Sequence, residues 1–165
     1  PIVAVVSESM EHGNYNQVLC GKPFPEFKDS FDNYWQVCGG WYVNQSISKE
    51  QFRQFPFPNG FDKGDIILVY GRSPKNIIVG DVIIFQGSKP QPIIHRVVKR
   101  WSEDQINYFH TKGDHNSGSI GGFLGETKIN EKRVLGTSLL RIPYLGWIKI
   151  VFVEAVKPLG IIITK

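Results

Sequence analysis

"PIIHRVVKRW", Pro92 to Trp101, is a β-branched run that opens on a proline and closes on charged and aromatic residues. Such residues pack well on a pleated surface, so the run reads as a strand. Alternation then places Ile93, His95 and Val97 on one face and Ile94, Arg96 and Val98 on the other. Comparable segments lie on both sides of it. Residues 1–7, "DIILVY" (65–70) and "NIIVGDVIIFQ" (76–86) precede it, and "QINYFHTKGD" (105–114), "KRVLGTSLLRI" (132–142) and "GWIKIVFVEAV" (146–156) follow. Gly, Pro, Asp or Asn separates most of them. Strands at this short spacing predict a mainly β fold, an antiparallel core that is barrel-like or sandwich-like.

Residues 14–60 have a different character. "KDSFDNYWQVCGG" spaces Phe31, Tyr34, Trp35 and Cys38 as one helical face, with Ser30 as N-cap and Gly39-Gly40 as the stop. "SISKEQFRQF" offers a second helix start, a capping box of Ser48 with Gln51 and a staple of Ile47 on Phe52. The expected organisation is a β core over 1–13 and 61–165, with an aromatic-rich, partly helical insertion over 14–60. The aromatics of the insertion are expected to form its own small core, the alternative being a surface toward substrate or membrane. "PFPNG" (56–60) is the expected hinge back into the core.

The chain has 165 residues, room for one domain and an appendage, and 41% hydrophobic with 21% charged residues is a globular composition. A net charge of +4 without a run of five Lys or Arg argues against nucleic acid as partner. Cys20 and Cys38 either form a disulfide closing a short loop or stay as two buried thiols. "WIKIVFVEAVKPLGIIITK" is broken by Lys149, Glu154, Lys157 and Pro158 and does not read as a membrane span. The chain begins at Pro1 without an initiator Met, from which an upstream membrane anchor is expected. The four histidines lack an HExxH or H-x₃-H spacing, so neither a metal nor another cofactor is expected.

Three polar segments sit at the ends of apolar runs: "SESM" (7–10), "IIHRVV" (93–98) and "TKGDHN" (111–116). A serine hydroxyl needs a neighbouring base to become a nucleophile, and imidazole is the commonest base near neutral pH. His95 alone reads as a core histidine; beside a serine it reads as a base. His12 is close to Ser9 in sequence but shares its short loop, and ranks below His95. Asp114 and Asn116 alone would only cap a turn.

Taken in order, Ser9-Met10, "GDIILV", "GDVIIF", "HRVV" and "TKGDHN" closely resemble the signal peptidase I family, in its archaeal and endoplasmic-reticulum branch. The closing "RIPYLGWIKI" is similar to archaeal members. The resemblance covers residues 1–13 and 61–150. It implies Ser9 as nucleophile, His95 as general base, and Asp114 as the acid of the Gly-Asp box. It also implies Ser7 as the hydroxyl that joins the Ser9 N–H in an oxyanion hole. The chain departs from the family in having His12 where a proline is usual, a long 14–60 insertion, and Ile120 where many members place a second aspartate. The group behind His95 is then Asp114, Glu126, Ser117 or Ser119, or the site is a Ser-His dyad.

What the resemblance implies is a serine endopeptidase, membrane-associated on the extracytoplasmic side of the cell membrane, that removes signal peptides from preproteins after small residues. An extended peptide would add to the sheet as a strand, with small apolar pockets excluding larger side chains. Two alternatives are a catalytically silent peptide-binding module, and a related peptidase acting on pilin-like or conjugation proteins.

Overall fold

The structure, a computed structural model, describes residues 1–13, 18–24, 30–88, 90–121 and 125–145. Among these, the β-branched segments form strands β1 (Ile2–Ala4), β2 (Val18–Leu19), β3 (Lys22–Pro23), β4 (Ile66–Tyr70), β5 (Val82–Phe85), β6 (Ile93–Glu103), β7 (Ile106–Lys112), β8 (Ile129–Asn130) and β9 (Val134–Ile142). Seven of them pair antiparallel in the order β1-β4-β9-β5-β6-β7-β8, while β2 and β3 make a separate hairpin. The fold is mainly β, a sheet curled into a half-barrel with two short helices. Register shifts at Leu68/Val69, Ile84/Phe85 and Val97/Lys99 are one cause of the curl, since a bulged strand bends and twists more.

The sheet is covered on both faces at its centre, which is why β5 reads as unbroken apolar sequence. Val82 and Ile84 join Val5, Met10, Phe61, Ile67 and Val69 on one side. Ile83 and Phe85 join Ile77, Val97, Phe109 and Ile129 on the other. The expected strand over 76–86 is shorter. Gly80 has φ of +98°, and the Asp81 carboxylate accepts from the Ile78 N–H at 2.9 Å, so the chain turns before Val82. Residues 1–7 are not a fully buried strand either: β1 is an edge strand, and Ile2 is 68% exposed. The strand expected over 146–156 and the closing 147–165 segment lie outside the described residues. Among the described residues, no helix is long and apolar enough to cross a membrane.

Helix α1 (Phe31–Val43) starts where Ser30 Oγ accepts from the Asn33 N–H at 3.1 Å. It does not stop at Gly39-Gly40. Two glycines inside a helix cost about 1 kcal/mol each, but tertiary packing overrides propensity. The Trp35 indole lies across Gly39, where a Cβ would come within 2.6 Å of it, and one further turn buries Tyr42 completely. Helix α2 (Lys49–Arg53) begins with the Ser48–Gln51 capping box, and Ile47 and Phe52 are buried in one cluster. Cys20 and Cys38 form a disulfide that joins the β2–β3 turn to α1 and contributes about 3 kcal/mol. The aromatic cluster under α1 and α2 is shared with the sheet: Val98 of β6 belongs to it, and the Arg96 guanidinium lies 4.7 Å over the Phe52 ring.

Candidate functional site

The serine segment leaves the sheet at Val5 and is pinned from both sides. The Val5 N–H donates to the Asp65 carbonyl at 2.8 Å, and the Gly64 N–H donates to the Val5 carbonyl at 2.9 Å. Beyond the serines, the Ser9 carbonyl accepts from the His115 N–H and the Met10 carbonyl from the Phe61 N–H, both at 3.0 Å. The Met10 side chain is buried. With the backbone fixed, Ser7 is exposed, Ser9 is half-buried, and their hydroxyl oxygens are 3.2 Å apart.

His95 stands at the centre of the sheet, paired across β5 with Ile83, and is 5% exposed. Its Nδ1 is hydrogen-bonded to Glu126 Oε1. A carboxylate accepts only, so Nδ1 carries a proton, and in the neutral ring the lone pair is then on Nε2. Glu126 is fully buried, and its second oxygen accepts from the Ile120 N–H at 2.5 Å. The Nε2 side of the ring meets the serine segment at Gly113. A Cβ there would lie 2.7 Å from both His95 Nε2 and the Ser9 carbonyl oxygen, and 2.6 Å from Asn116 Nδ2. A side chain at this position would push the three elements apart. Ser7, Ser9, Met10, His95 and Glu126 line one cleft of about 390 Å³, whose other walls include Val5, Ile94 and Ile120. The hydrogen bond of Ser9 Oγ runs to Ser7, and among the described residues none joins it to His95. Such bonds commonly tighten only with substrate bound.

Asp114 faces away from this cleft. Its carboxylate accepts from Arg96 Nε at 2.9 Å and Nη2 at 2.7 Å, from His12 Nε2 at 2.9 Å, and from the Tyr42 hydroxyl at 3.1 Å. No hydrogen bond links it to His95 among the described residues. Burial acts to raise the Asp114 carboxyl, but Arg96 and His12 hold it well below the usual carboxylate range. Burial lowers His12, against the opposing pull of Asp114, and the ring stacks 3.5 Å from Tyr34. Arg96 spends its remaining donors on the Pro56, Phe57 and Gly80 carbonyls. Lys112, pushed down to about 8 by burial, donates to the Gly113 and Asp114 carbonyls at 3.0 Å each. Ser119 bonds His110 and the Thr111 carbonyl, and Ser117 is exposed beside Gly21. The sequence signal for this network was Arg96 itself: a cation on the same strand face as the apolar Ile94 and Val98 needs an anion beside it.

Truncating Arg96 strands the Asp114 charge. Arg96→Ala is expected to cost about 3–5 kcal/mol in urea unfolding at neutral pH. Because the folded carboxyl lies below its unfolded value, this contribution is present above pH ~4 and fades as pH falls further, so the parent and variant should converge in acid. Glu11 behaves oppositely. It is 1% exposed, accepts from the Lys63 N–H at 2.7 Å, and burial raises its carboxyl to about 7. The folded chain then holds a proton that the unfolded chain has lost, so stability falls as pH rises from about 4 through 7. Glu11→Gln keeps the acceptor for Lys63 and is expected to be the more stable protein at pH 8, on the order of 2 kcal/mol, with little difference at pH 4. Equal urea midpoints at pH 8 would contradict this.

No family model matches the chain. It is similar to the signal peptidase complex catalytic subunit SEC11 of Yarrowia lipolytica, 31% identical over 98 residues, 57% of this chain and 56% of that protein. The subunit of the same name from Lachancea thermotolerans is 35% identical over 96 residues, 54% of this chain and 56% of that one. That of Saccharomyces cerevisiae (strain YJM789) is 35% identical over 95 residues, with the same two shares, 54% and 56%. The chain spans about half the length of the curated relatives it matches. Over that stretch it is homologous to catalytic subunits of the endoplasmic-reticulum type of signal peptidase.

Proposed function

We propose, from this homology, that the chain is a serine endopeptidase that removes signal peptides from preproteins at a membrane surface. The observation that carries the reading is one apolar cleft onto which open a paired serine and a histidine with a carboxylate behind it. In this reading Ser9 Oγ attacks the scissile carbonyl while His95 Nε2 takes its proton and then returns it to the leaving amine. Glu126 holds the ring in the required tautomer and stabilises the imidazolium that forms. The oxyanion is received by the Ser9 N–H and the Ser7 hydroxyl, each such donor contributing roughly 3 kcal/mol in the transition state. Asp114 is a positioning residue. It ties Arg96, His12 and α1 to the turn whose His115 N–H holds the Ser9 carbonyl.

The substrate in this reading is an extended peptide with small residues before the cut, since the cleft walls are apolar and the serine lies just beyond edge strand β1. The disulfide suits an oxidising, extracytoplasmic side of the membrane. Further subunits and a membrane anchor belong to the proposal, by analogy with relatives named as parts of a complex. The 14–60 segment is, in the same reading, an insertion into a core of 1–13 and 61–165. The test is cleavage of a model signal peptide with alanine at the first and third positions before the cut. Cleavage at that bond, lost when either alanine becomes a bulky residue, is expected. Binding without cleavage by the parent chain would mark a silent module instead.

A further inference from the structure

A second Ser–His pair involves β7, the strand next to the one that carries His95. His110 Nε2 is 2.7 Å from Ser119 Oγ, and the ring stands edge-on to Trp41. The Ser119 hydroxyl donates to the Thr111 carbonyl at 2.7 Å. A hydroxyl has a single proton, so His110 Nε2–H must be the donor toward Ser119. Ser119 is therefore not an activated nucleophile; its proton is committed to backbone. What the pair does is tie the turn at 119–120 to β7.

That tie lies where Glu126 is held. The residue after Ser119, Ile120, donates its N–H to Glu126 Oε2 at 2.5 Å, and its carbonyl accepts from the Glu126 N–H at 3.3 Å. The residue after His110, Thr111, donates its N–H to the Glu126 carbonyl at 2.9 Å. Glu126 is thus held by two backbone segments, its carboxylate by the Ile120 N–H and its main chain by Ile120 and Thr111, and the His110–Ser119–Thr111 chain of hydrogen bonds is the side-chain link between them. We propose that His110 and Ser119 form a latch that positions Glu126 against His95, and so belong to the machinery of the site without touching substrate. The inference rests on the reading of His95 as the base and Glu126 as its partner.

The test combines proton NMR with kinetics. The His95 Nδ1–H, shielded from solvent by Glu126, is expected as a downfield imidazole resonance of the parent chain, assigned by its loss in His95→Ala. Ser119→Ala and His110→Leu should broaden that resonance through exchange with water and lower kcat about tenfold, the size expected for one lost hydrogen bond, with KM within about twofold. Ser119→Thr keeps the hydroxyl, and His110→Gln keeps an N–H donor; both should retain the resonance and the rate. If Ser119→Ala does not fold by circular dichroism, the His110→Leu and His110→Gln pair carries the same comparison. A sharp resonance with parent-like kcat in His110→Leu would overturn the latch. So would a rise in KM alone, which would mean that the pair merely shapes the cleft wall at Ile120. Loss of the resonance in a chain that cleaves no signal peptide would support the latch and overturn the proposed function.

Discussion

Ser9→Ala is expected to abolish cleavage of a model signal peptide, with a fall in kcat on the order of 10⁶, as when a serine nucleophile is removed from an intact site. His95→Ala should fall by a similar amount, because serine and base act as one unit and their losses do not add. Folding should survive Ser9→Ala. The Ser9 side chain is half-buried, and among the described residues its only side-chain hydrogen bond is the 3.2 Å contact with Ser7. The backbone contacts that seat the segment, from His115 and Phe61, do not involve the hydroxyl. Unfolding by urea should therefore match the parent to within a few tenths of a kcal/mol, as for substitutions away from buried features. Ser7→Ala should lose only the oxyanion share, about 10²–10³ in kcat. Parent-like turnover in Ser9→Ala would remove Ser9 as nucleophile.

Glu126→Gln is expected to cost on the order of 10⁴ in kcat while leaving the fold intact. The reason is the pair of groups that the two carboxylate oxygens receive, Nδ1–H of His95 on one and the N–H of Ile120 on the other. A glutamine has one acceptor and one donor. If its oxygen accepts from Ile120, its amide donates to Nδ1 and drives the imidazole proton onto Nε2, where it blocks uptake of the serine proton. If it turns over, two N–H groups face each other in a buried site, with a desolvation cost of about 1–3 kcal/mol. Asp114→Asn makes the contrast. Asp114 receives Arg96, His12 and Tyr42 and not His95, so its main loss should register in the unfolding midpoint. A kcat for Glu126→Gln within tenfold of the parent, or a collapse for Asp114→Asn at unchanged stability, would reverse these two assignments.

Much of the architecture was legible because strands announce themselves locally. Alternation in "PIIHRVV" places His95 with Ile93 and Val97, and in the structure Ile93 and Val97 pack in one cluster while Ile94 packs in another. The Ser48–Gln51 capping box and the Ser30 cap were equally local, decided by residues within one helical turn. Local signals misled where packing prevailed. Gly39-Gly40 looks like a helix stop, yet α1 continues because Tyr34, Cys38 and Tyr42 are all buried on one side of it. Residues 76–81 look like strand, yet Gly80 and Asp81 turn the chain.

The general β plan followed from the order of residues, because each strand depends on neighbours a few positions away, while Ser7, Ser9 and His95 were singled out by the family resemblance of motifs spread along the chain. Which carboxylate meets the imidazole did not. Asp114 and Glu126 both follow β6 in sequence, and both become fully buried. Their difference is made by Arg96, which alternation turns to the face opposite His95 and which draws Asp114 to that face. Glu126 is left for the His95 face, held there by the backbone of Ile120 and Thr111. A buried charge goes where its counter-charge and donors are, and only the folded sheet decides which side that is.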